Sequence, residues 1–109
     1  MPRFIVTGCY TAAACKGMIA NPSDREAGAR SIIEAAGGKL ESFYVTTGAT
    51  DFTFTVTVDD VSDLLAGLLA ASGSGAITGA QTKRAFTGAE FMAMQKKAGA
   101  LAAAYKAPN

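Results

Sequence analysis

The chain has 109 residues, half of them hydrophobic and 17% charged, with ten basic and nine acidic side chains and neither histidine nor tryptophan. A chain this long is expected to form one domain over residues 1–109, removing roughly 60–70% of its unfolded surface from water without disulfide or metal staples. The balanced, evenly spread charge argues against a nucleic-acid or anionic-membrane partner. The lack of histidine excludes a His-based triad or a Cys-His pair.

Arg3 to Cys9 reads as a strand, with Phe4, Val6 and Gly8 on one side and Ile5, Thr7 and Cys9 on the other. Thr11 is placed to cap a short helix from Ala12 to about Ala20, ended by Asn21-Pro22. Ser23-Asp24-Arg25-Glu26 has the spacing of a capping box, with Ser23 and Glu26 meeting the free amides of a second helix. That helix is expected to bury Ala29, Ile32, Ile33 and Ala36 and to stop at Gly37-Gly38.

Lys39 to Val58 reads as two strands joined by Gly48-Ala49-Thr50. In the second, Phe52, Phe54, Val56 and Val58 alternate with Thr53, Thr55 and Thr57, each of them β-branched or aromatic. Threonines make a less polar face than the Lys, Glu or Gln of a fully solvated strand. The sheet is therefore expected to be covered on both sides, the second cover coming from another subunit.

Asp59 or Asp60 caps a third helix, whose stripe of Val61, Leu64, Leu65, Leu68 and Leu69 is the clearest in the chain. Leu64 to Thr82 carries no charge, but Gly67, Gly73, Gly75 and Gly79 interrupt it, so it reads as a helix end plus a loop and not as a membrane span. The start of the chain shows no signal-peptide pattern, and the expected compartment is the cytoplasm. Ile77 to Phe86 holds a fourth strand. Thr87-Gly88-Ala89-Glu90 is a second capping box, opening a helix to about Tyr105 with an expected buried line of Phe91, Met94, Ala98, Leu101, Ala102 and Tyr105. The order β-α-β-β-α-β plus a C-terminal helix predicts a ferredoxin-like α+β sandwich, with a four-stranded antiparallel sheet and helices on one face.

The opening RFIVTGCYT, the segment NPSDREAGARSIIEAAGGKLESFYVTTG, the strand after Asp51 and the closing RAFTGAEF resemble the GYD-domain family, over nearly the whole chain. That resemblance implies a small bacterial ferredoxin-like protein related to the dimeric α+β barrels. The naming motif, Gly-x-Tyr-Asp between the second and third strands, reads here as Gly48-Ala49-Thr50-Asp51. Gly48 and Asp51 match, whereas Thr50 replaces the tyrosine, so no role of that phenol carries over. The family brings no defined activity to transfer.

Five residues are candidates for ligand binding. Gly48 permits a positive φ, and Asp51 can bond the turn backbone, anchor a ligand or act as a base. Tyr10 and Tyr44 read as core or interface aromatics, with a role as acids the alternative. Arg84 shares the parity of Thr82 and Phe86 and so points toward a largely apolar face, where it needs Asp51, Glu41 or an anionic ligand. Cys9 and Cys15 read as small buried hydrophobes, reduced and not catalytic. With no histidine and no second cysteine pair, neither metal nor cofactor is expected, and no catalytic residue is assigned.

Two readings of function follow. The first is a non-catalytic homo-oligomer, a homodimer or larger, that binds a small hydrophobic or anionic molecule or serves as a structural unit. The second, which rests on fold analogy, is a cofactor-independent enzyme acting on a hydrophobic molecule between sheet and helices. A filled interior favours the first, and an enclosed pocket with a titratable group favours the second.

Overall fold

The computed structural model of the chain describes residues 1–108. Its elements run β1 (Arg3–Tyr10), α1 (Ala12–Ala20), α2 (Arg25–Ala35), β2 (Lys39–Val45), β3 (Phe52–Thr57), α3 (Val61–Gly73), β4 (Ile77–Ala85) and α4 (Gly88–Ala102). The strands form one antiparallel sheet in the order β2-β3-β1-β4, the ferredoxin-like arrangement that the element order predicts. No helix among the described residues is long and apolar enough to cross a membrane.

The alternation in β1 and β3 sets the layers. Phe4, Val6, Phe52, Phe54 and Val56 face the helices and are buried together with Leu40, Val58, Ile33 of α2 and Leu64 of α3. Val6, Val56, Val58 and Leu64 are under 2% exposed, and burying each contributes about 1.5–3 kcal/mol. Leu40 and Phe43 both meet this core although three residues apart, because the pairing of β2 with β3 shifts register between Leu40 and Ser42. A regular strand would have turned one of them to the other face.

Caps fall close to where the sequence places them. The Thr11 hydroxyl accepts from the Ala14 N–H, and Thr87 and Glu90 form a reciprocal capping box. The start of α2 differs: Asp24, not Ser23, is its N-cap, accepting from the N–H groups of Glu26 and Ala27. Asp60 caps α3. At the end of α2, Gly37 adopts a φ of 85°.

Two expected faces are corrected. In α3 the inward residues are Leu64 and Gly67 with Leu68 half-buried, while Leu65 is 49% and Leu69 74% exposed. The stripe is wider than one contact face: the side of α3 that packs on the core carries Leu64 and Gly67, which leaves the outer leucines in solvent. In α4 no residue is buried, and the expected inner line of Phe91, Met94, Leu101 and Tyr105 is exposed. The helix leads away from the sheet, so the chain measures 61 × 32 × 22 Å with a radius of gyration of 17.8 Å, against about 13 Å for a compact chain of this length.

Candidate functional site

The sheet and the three helices over it do not close completely. Between them lies a cavity of about 610 Å³, within the usual range of about 300–1,000 Å³ for small-molecule sites. Its floor is a row of aromatic rings from the sheet: Tyr10 and Phe52 have centroids 5.2 Å apart, Phe52 and Phe54 5.9 Å, and Phe43 and Phe54 6.3 Å. Its roof combines small residues, among them Ala14 and Gly17 of α1, Gly28 and Ala29 of α2, and Gly67 and Ala71 of α3, with the larger Met18, Ile32, Ile33 and Leu68. Small side chains above large rings leave the space that larger residues would fill.

One end of the cavity is polar. Tyr10, Arg25 and Ser23 stand together there, and Asn21 and Ser74 are further polar residues of the lining. Burial raises the Tyr10 phenol above its ordinary pKa, while the charge and N–H groups of the nearby Arg25 guanidinium pull the other way and Asp51 adds to the rise. Arg25 donates to the Ser23 hydroxyl at 3.2 Å and lies over the bare Cα of Gly28.

The five candidate residues are not gathered in one place. Tyr10 lines the cavity. Asp51 stands beside it through the backbone: its Oδ2 accepts from the Tyr10 N–H at 2.9 Å, its own N–H donates to the Gly8 carbonyl at 2.8 Å, and its carbonyl accepts from the Thr46 N–H at 2.8 Å. Gly48 sits in the β2–β3 turn with a φ of 103°. Tyr44 lies opposite Thr53 on the helix-free face of the sheet and is 66% exposed.

Arg84 is on β4 opposite Phe4. The expected ion pair with Asp51 or Glu41 does not form, since the sole ion pair among the described residues is Arg30–Glu26. The Arg84 guanidinium instead lies 4.3 Å from the centroid of the Phe86 ring and donates to the carbonyls of Arg3 and Ala85. Glu41 is taken up by the Thr57 hydroxyl. Cys15 is exposed, not buried, and Cys9 is half-buried with its thiol directed to the Ala49 carbonyl. Among the described residues no three His, Cys, Asp or Glu side chains come together as a metal site would need.

Arg25 is the cavity residue that the sequence reading passed over as part of a capping box. A signal for it was present: acidic residues suit the first turn of a helix, and a cation there is electrostatically disfavoured. Its position at the first residue of α2 therefore asks for another role.

A profile of the GYD domain matches residues 4–94, most of the chain. The chain belongs to the GYD domain family. Among solved structures, this GYD domain is similar to MtbAldR, at 19% identity and a TM-score of 0.52 over 79% of this chain and 52% of that one. It thus spans about half the length of MtbAldR, and the likeness is one of fold. FFRP-DM1 matches at 16% identity and a TM-score of 0.45, covering 79% of this chain and 100% of the other. A hypothetical protein of Pyrococcus horikoshii matches at 17% identity and a TM-score of 0.49, covering 80% and 92%. No curated protein matches the GYD domain at a significant level.

Proposed function

We propose that this GYD-domain protein is a non-catalytic, homo-oligomeric module of the cytoplasm that binds a small molecule between its sheet and helices α1–α3. The observation that carries the reading is the cavity of about 610 Å³, floored by aromatic rings and covered by helices whose lining mixes glycine and alanine with Met18, Ile32, Ile33 and Leu68. A domain serving only as a structural unit has no use for that space, and empty apolar volume costs stability.

Self-association is supported by two uncovered surfaces of the same chain. The helix-free face of the sheet presents Ile5 with Thr53 and Thr55, and α4 presents Phe91, Met94 and Leu101 to solvent. A second copy meets both needs. A two-fold contact buries the two open faces against each other as a barrel-like dimer, and each α4 lies across its neighbour.

An enzyme acting on a hydrophobic molecule in the same cavity is the second reading: the interior is not filled and the Tyr10 phenol stands in its wall, as that reading expects, although the space is open to solvent and not enclosed. Binding without chemistry is preferred because the nearest carboxylate, Asp51, is spent on the Tyr10 backbone N–H.

Native mass spectrometry at micromolar concentration tests both parts of the proposal. It is expected to show a dimer or larger species, and a small apolar molecule released on denaturation. A monomer would overturn the assembly. Failure of the protein to retain or take up any small apolar molecule would overturn the binding role.

A further inference from the structure

We infer that the cavity is selective for an apolar molecule carrying an anionic head, a carboxylate on an aromatic or aliphatic body, and that Arg25 is the residue that holds the head. The inference rests on the binding role proposed above and adds to it the charge and shape of the ligand. Arg25 is the one charged side chain in the lining, which holds no acid. The acids next to it in sequence are committed elsewhere. Asp24 caps α2 through its Oδ1, and Glu26 pairs with Arg30 at 2.9 Å. Among the described residues no carboxylate lies within 4.0 Å of Arg25, and the Ser23 hydroxyl, at 3.2 Å, takes one of its donors.

Arg25 is partly exposed at the rim of an apolar space and has no carboxylate within 4.0 Å, so its charge is free to meet an anion that enters. Its planar fork suits the two oxygens of a carboxylate. Gly28 is part of the device. A Cβ there would stand 2.9 Å from Nη2 of Arg25, so the guanidinium occupies the space that a side chain at position 28 would share with it. The Tyr10 hydroxyl lines the same end and adds a neutral donor. The row of rings from Tyr10 to Phe43 offers a face on which an apolar ring can stack.

The test uses the whole protein and two probes of equal shape, 2-naphthoate and the neutral 2-naphthalenemethanol, followed by calorimetry and by naphthalene fluorescence, which no tryptophan obscures. Wild type is expected to bind the carboxylate about tenfold or more tighter than the alcohol, as a charge-assisted bond implies. Arg25→Gln is expected to bring the two affinities together by weakening the carboxylate and leaving the alcohol unchanged. Equal affinities in wild type, or an Arg25→Gln protein that keeps the preference, would overturn Arg25 as the anchor while leaving the cavity a binding site. Binding of neither probe to folded wild type would overturn both. The wild-type comparison needs no variant, so a poorly folding Arg25→Gln cannot shelter the proposal.

Discussion

Gly8 and Phe52 face each other across β1 and β3, and the Phe52 ring lies over the bare Cα of Gly8. A Cβ at position 8 would stand 2.6 Å from Cζ of Phe52, closer than two carbons can be, and 3.4 Å from the Ala80 backbone on the other side. The ring cannot move freely, since Phe52 is 4% exposed and packs between Tyr10 and Phe54. The absent methyl group thus leaves room for the Phe52 ring in the floor of the cavity.

Gly8→Ala is therefore expected to destabilise the fold by about 1–3 kcal/mol through overpacking. Denaturant unfolding measures this. The same substitution in a Phe52→Leu background should cost less, and equal costs in both backgrounds would show that the ring is not what the methyl meets.

The two neighbouring leucines of α3 are expected to part company. Leu64 is 1% exposed, and Leu64→Ala should cost about 2–5 kcal/mol by opening a cavity. Leu65 is 49% exposed, and Leu65→Ala should cost less than about 1 kcal/mol in the monomer. Thermal unfolding at concentrations low enough to separate any subunits distinguishes them, and similar losses would mean that α3 is rotated from the position described.

Asp51 ties the β2–β3 turn to the end of β1. Removing its carboxylate strands the half-buried Tyr10 N–H, so Asp51→Ala should cost about 1–3 kcal/mol, whereas Asp51→Asn keeps an acceptor and should cost much less. Hydrogen exchange at the Tyr10 amide gives a local readout. It should quicken in Asp51→Ala and stay slow in Asp51→Asn.

Acid is expected to loosen helix starts before the sheet. Glu90 is held below the usual carboxylate range chiefly by the Thr87 backbone N–H, and Asp60 by that of Ser62. A carboxylate whose folded pKa is lowered stabilises fully above its unfolded value, about 4, and loses that contribution as pH falls through the folded one. The Thr87 and Ser62 amide resonances should therefore be constant from pH 7 to about 5 and shift only below about pH 4. Shifts centred near pH 6 would refute the caps as the cause.

Much of this protein is written locally in its sequence. The alternation of phenylalanine and threonine in β3 sets which face is buried, because successive strand residues point to opposite sides. Thr11, Asp60 and the Thr87–Glu90 pair mark helix starts, because free amides there need an acceptor within a few residues. The β-α-β-β-α-β order of elements then leaves few ways to build one sheet.

Tertiary structure decided the rest, for reasons that no local pattern holds. A leucine stripe wider than one contact face does not say which leucine goes inward; the packing of α3 on the core of the sheet took Leu64 and left Leu65 49% exposed. The Leu40–Phe43 pair shares the core only through an irregular register, in which β2 advances two residues for one of β3, and that pairing exists only once the strands meet. The apolar line of α4 is a property of that helix alone, and its own sheet offers it no partner, so amphipathicity there signals a surface and not a core. The cavity is more remote still. Its rings come from three strands and its small residues from three helices, and Arg25 reaches its wall only because Tyr10 and Ser23 are folded around it.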